Sequence, residues 1–96
     1  MTVKLTVKFV GVLHEVFKKK QTQLGFAHTP SVKEVLEKLA KTSIEARRSV
    51  LEAESNQIHP ALLILVNGKE VSALNGSETR VKEDDDLVLI SVSHGG

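Results

Sequence analysis

Ninety-six residues suffice for one domain and one core, since a chain of this size hides only about 60 to 65% of its unfolded surface. Hydrophobic residues at 41%, charged residues at 26% and a net charge of +1 describe an ordinary globular chain with no global field to attract a polyanion, so composition gives nucleic-acid binding no support. The absence of Cys removes disulfides, thiolate zinc sites, iron–sulfur clusters and cysteine nucleophiles, and the absence of Trp and Tyr leaves little for stacking bases.

Val3, Leu5, Val7 and Phe9 alternate with Lys4, Thr6 and Lys8, the period of a strand with one face buried. This start reads as a structural strand rather than a signal peptide, so a cytoplasmic protein is expected. After Gly11, Val12 to Phe17 carries apolar residues at spacings of three and four, one helical turn before Lys18-Lys19-Lys20. A second strand is expected from about Thr22 to His28, with Leu24 and Phe26 on one face, pairing with the first as a hairpin. Ser31-Val32-Lys33-Glu34 then has the Ser-x-x-Glu pattern of a capping box, and Val32, Val35, Leu36 and Leu39 form one apolar helical stripe. A less regular helical pattern follows from Ser43 to about Glu54, carried by Ile44, Ala46, Val50, Leu51 and Ala53.

Leu62 to Val66 is a short apolar run ending at Asn67-Gly68, the dipeptide suited to the positive φ angles of a tight hairpin, and Lys69-Glu70-Val71 pairs back. Asn75-Gly76 makes a further turn, Arg80-Val81 adds extended residues, and Glu83 to Asp86 forms an acidic turn. The last strand runs from Leu87 to Ser93, and its near-continuous apolar run predicts a central place in the sheet. The order is strand, strand, helix, strand, short strand, strand. It matches the ubiquitin-like β-grasp, an α+β fold with a mixed four- to five-stranded sheet over one main helix, the first and last strands adjacent at its centre.

The expected division is a domain over residues 1–92 and a flexible tail over 93–96 ending in Gly95-Gly96. At a glycine usage of about 7%, two terminal glycines arise by chance in only ~0.5% of chains. Together with the opening strand, the helix at Ser31 to Ala40, the segment Leu65 to Val71 and the acidic turn before Leu87, this ending resembles the MoaD/ThiS sulfur carriers and, most of all, the ubiquitin-related modifier. The resemblance implies that an adenylyltransferase of the ubiquitin-activating type uses ATP to adenylate the Gly96 carboxylate, and that a sulfur donor converts it to a thiocarboxylate. The chain itself then binds no cofactor and is a cosubstrate, not an enzyme. Glycine at both places lets the backbone enter a narrow tunnel. The ending Ser91-Val92-Ser93-His94-Gly95-Gly96 replaces the Pro-Pro-Val-x-Gly-Gly usual in molybdopterin-type carriers. With the insert from Ile44 to Pro60, this turns the resemblance toward tRNA thiolation and attachment to target-protein lysines. The alternative is the small subunit of molybdopterin synthase, pairing with that enzyme's large subunit. A β-grasp interaction module with an incidental Gly-Gly end is the reading of a different class.

Alignment of the tail to that family points Leu87 and Leu89 to the core and leaves Val88, Ile90 and Val92, with Val10, on the open face as a partner surface. The competing reading buries these four residues within the same chain. His94 is either a contact for the activating enzyme or a solvated tail residue. His14, His28, His59 and His94 show no metal-ligand spacing, and Asp84-Asp85-Asp86 lacks the loop pattern of a calcium site. The longest apolar run, Ala61 to Val66, falls far short of the ~18 residues that would span a bilayer, so no membrane contact is expected.

Overall fold

The computed structural model describes residues 2–92. Five strands, β1 (Val3–Val10), β2 (Gln21–Phe26), β3 (Leu62–Val66), β4 (Lys69–Glu70) and β5 (Leu87–Ser91), form one mixed sheet in the order β2-β1-β5-β3-β4. β1 and β5 run parallel at its centre, and the other neighbours are antiparallel. Three helices, α1 (Val12–Phe17), α2 (Val32–Ala40) and α3 (Ile44–Val50), accompany it, so the expected β-grasp is the fold found.

α2 forms where the sequence places it because its first turn is closed from both sides. The Ser31 hydroxyl accepts the Glu34 N–H at 3.2 Å, and the Glu34 carboxylate accepts the Ser31 N–H at 2.9 Å. The Ser31 N–H, followed by His28 Nε2 at 3.1 Å, holds the Glu34 carboxyl below the usual carboxylate range. Val32, Val35, Leu36 and Leu39 are all buried against Leu5, Val7, Ile64, Leu87 and Leu89 of the sheet. Ser31→Ala removes the cap and is expected to cost about 1 kcal/mol, read as a fall in Tm of roughly 4–8 °C by calorimetry. An unchanged Tm would show that the cap contributes nothing.

Arg80 and Val81 do add extended backbone, as a single bridge rather than a strand: Ser31 pairs with Arg80, Val32 donates to the Thr79 carbonyl at 2.8 Å, and Val81 donates to Pro30 at 2.9 Å. The entry to α2 is thereby fastened to the segment that leads into β5.

Several boundaries differ from the sequence reading. β1 continues to Val10, because Val10 pairs with Ile90, and β2 spans Gln21–Phe26 rather than Thr22 to His28. The helical pattern expected to reach Glu54 stops at Val50. Leu51 turns extended and bridges Ile58, which keeps its side chain in the core while residues 52–57 loop outward. Of the residues credited with that helix, Ile44 is 72% exposed and Ala53 is also exposed; Ala46, Val50 and Leu51 carry the packing. Val71 begins a 3-10 turn, Val71–Ala73, instead of extending β4, which lets its side chain enter the core. β5 ends at Ser91; Val92 N–H still donates to the Ala61 carbonyl at 2.7 Å, and Ser93 lies outside the described residues.

The Asn67-Gly68 hairpin is as expected, with φ of 53° and 81° at its two residues. Asn67 also accounts for the acidic turn. Its backbone N–H donates to the Asp86 carbonyl, its side-chain oxygen accepts the Asp86 N–H at 2.9 Å, and its amide donates to Asp85 at 3.0 Å. Partial burial raises the Asp85 pKa, but the Lys82 N–H and the Asn67 amide outweigh it and hold the carboxyl below its ordinary value. These aspartates tie two turns together beside the end of β3. No helix among the described residues is long and apolar enough to cross a membrane.

Candidate docking face and C-terminal attachment site

β5 is the strand that leads to the Gly-Gly end, and its neighbours decide what surrounds that exit. Successive side chains of a strand point to opposite faces. Leu87 and Leu89 are buried, at 1% and 0% exposure, against the helices. Val88 and Ile90 therefore face the other way, and both are half-buried. Register fixes what lies beside them: Val10 on β1 and Leu63 on β3 flank Ile90, while Lys8 and Leu65 flank Val88. Val92, 44% exposed, continues the same side beyond β5, and Val10 is exposed to the same extent.

The four residues expected to share a partner surface, Val10, Val88, Ile90 and Val92, are thus brought to one side of the sheet. Leu63 and Leu65 complete an apolar ribbon across the three central strands, and the sequence reading missed them. The continuous run from Leu62 to Val66 hid the two-residue period. The return strand does not separate the two faces either, because exposed charges stand opposite both Leu65, paired with Glu70, and the buried Val66, paired with Lys69.

Where β5 begins, Lys8 Nζ meets Asp86 at 3.0 Å with both side chains about half exposed, a pair worth little in energy. Its effect is to bound the apolar ribbon with charge. Ribbons of this kind, apolar in the middle and charged at the rim, suit association with another protein. The other histidines have local roles or none: His28 meets Glu34, His59 Nδ1 accepts the Ala61 N–H at 3.0 Å, and His14 is exposed on α1. Among the described residues no three His, Asp or Glu side chains converge as metal ligands. His94, Gly95 and Gly96, and the expected tail over 93–96, lie outside the described residues.

Comparison with known proteins gives this arrangement a family. The sequence profile of Urm1 (ubiquitin-related modifier) matches residues 4–96. Ubiquitin-related modifier 1 of Aspergillus oryzae is 25% identical over 99 residues, covering 96% of this chain and 82% of its own. A homolog from Drosophila grimshawi is 29% identical over 79 residues, covering 82% of this chain and 75% of its own. Among solved structures, the small archaeal modifier protein 1 of Methanosarcina acetivorans superposes with a TM-score of 0.84 over 100% of this chain and 99% of its own, at 22% identity, a likeness of fold. With the profile spanning the sheet, the helices and the Gly-Gly end alike, the chain belongs to the ubiquitin-related modifier family, ubiquitin-like sulfur carriers and modifiers rather than catalysts.

Proposed function

We propose that this protein is a sulfur carrier and ubiquitin-like modifier that is activated at the Gly96 carboxylate. The observation that carries this reading is that the family match runs through Gly95-Gly96, directly beyond a central strand whose open face is apolar. An adenylyltransferase joins Gly96 to AMP and releases pyrophosphate, making a poor electrophile into a mixed anhydride. The outer sulfur of a donor persulfide then attacks the acyl carbon and AMP leaves. A thiol reductant cleaves the resulting acyl disulfide to give the thiocarboxylate. ATP is consumed by the enzyme. The carrier contributes the acyl group and a handle, and Val10, Leu63, Val88, Ile90 and Val92 lie on or beside the segment that precedes the tail in sequence.

The ending also bears on destination. A proline pair fixes φ and removes backbone donors, pre-shaping a tail that must thread one deep site. Ser91-Val92-Ser93-His94 keeps those donors and fits several recipients, so the sulfur goes chiefly to tRNA, or the tail to protein lysines. Deleting the gene is expected to deplete thiolated tRNA or the high-mass conjugates detected with an antibody to the protein, with molybdoenzyme activity unchanged. Loss of molybdoenzyme activity alone would instead make the protein a molybdopterin synthase subunit.

A further inference from the structure

β2 is a sheet edge, and its register shows which backbone groups are open. Phe9 N–H donates to the Lys20 carbonyl, and the antiparallel pairing continues in phase through Val7 with Thr22 and Leu5 with Leu24. In such a ladder residues that exchange hydrogen bonds alternate with residues that do not. Lys20, Thr22, Leu24 and Phe26 therefore turn their N–H and C=O groups toward β1, while those of Gln21, Gln23 and Gly25 point outward. Among the described residues no strand borders this side. The Lys38 ammonium, 4.7 Å above the Phe26 ring, donates to the Gly25 carbonyl and closes the far end, which leaves the edge at Gln21 and Gln23 open.

Beside that open stretch, on the helix side of the sheet, lies a groove whose floor includes Val16, Phe17, Leu24 and Leu39. Lys18 and Lys19 line its rim, and Lys20 follows; all three are exposed, and none is in an ion pair among the described residues. Glu45 is the carboxylate on the opposite wall.

We propose that this edge is a second, non-covalent docking site, which accepts an extended peptide segment of a partner protein, apolar at alternate positions and acidic at the end beside Lys18 to Lys20. The peptide adds a strand to β2 through the Gln21 and Gln23 backbone groups. Its alternate side chains enter the groove next to Thr22 and Leu24, and its acidic end meets the lysines. Charge decides between this occupant and a second copy of the chain. From Lys18 to His28 there is no Asp or Glu, so two β2 strands placed edge to edge offer the lysines nothing to pair with. The site is independent of the carrier reading, because β1 separates β2 from β5.

The test uses the full chain, labelled with nitrogen-15, and a synthetic peptide of three aspartates followed by alternating valine and threonine over six residues. Saturable amide shifts at Gln21 and Gln23, with slowed hydrogen exchange there, are the expected result. Gln23→Pro removes an outward N–H at a position where an edge strand tolerates proline, and is expected to abolish binding with the remaining spectrum unchanged. Reversing two of the three lysine charges in Lys19→Glu/Lys20→Glu is expected to raise Kd about tenfold, and this variant decides the matter alone if the proline variant does not fold. The proposal is overturned by absence of edge shifts at millimolar peptide, or by equal binding of a peptide with lysines in place of the aspartates. It is equally overturned if the same amides shift with protein concentration in peptide-free samples, which would make a second copy the occupant.

Discussion

Leu89→Asp is expected to unfold this domain, while Ile90→Asp, one residue further along the same strand, leaves it folded and breaks its association with the activating enzyme. Leu89 is fully buried between the sheet and the helices, and Leu5, Leu36 and Ile64 belong to the same core. A carboxylate forced into that interior has no partner and costs several kcal/mol, comparable with the roughly 5–15 kcal/mol that holds a domain together. Ile90 lies on the opposite face between Val10 and Leu63, where water reaches it. A charge there is solvated in the free protein and becomes costly only when a partner covers it, so the loss falls on binding. With no Trp or Tyr in the chain, amide NMR spectra and calorimetry are the suitable measures of folding. Collapse of the Ile90→Asp spectrum would show that this face is packed rather than open.

Deleting Gly95 and Gly96 is expected to abolish activation while leaving the melting transition in place. Every core residue identified among the described residues lies at or before Leu89, so the truncation removes none of that packing. What it removes is the acyl group to be adenylated and the two residues without Cβ atoms that precede it. ATP–pyrophosphate exchange by the cognate activating enzyme should fall to background. Continued exchange with the truncated protein would leave an interaction module whose Gly-Gly end is incidental.

Where local chemistry decides an element, the sequence was sufficient to place it. The alternation from Val3 to Phe9, the reciprocal Ser31–Glu34 cap and the Asn67-Gly68 turn each have a local cause, and each element appears where it was expected. Elements decided by distant contacts were less legible. The end of α3 at Val50 depends on Leu51 pairing with Ile58 across a loop, and no helical period contains that information. Val71 leaves the strand pattern because a 3-10 turn carries it into the core. On the candidate docking face, Val10, Val88, Ile90 and Val92 follow from aligning the tail to the family, whereas Leu63 and Leu65 required the position of β3 beside β5. The open edge at β2 was least visible of all, since Gln-Thr-Gln-Leu-Gly-Phe shows a strand but not which side of it lacks a neighbour.

Intact-mass analysis of the protein purified from its native cell shows whether Gly96 is the site of sulfur loading. The expected result is a fraction heavier by the difference between sulfur and oxygen, localised to the C-terminal fragment, reactive toward electrophiles that trap thiocarboxylates, and absent when Gly95 and Gly96 are deleted. A C-terminus that carries only an ordinary carboxylate under conditions in which the cell is actively thiolating tRNA, with no conjugate formed through Gly96, would contradict it.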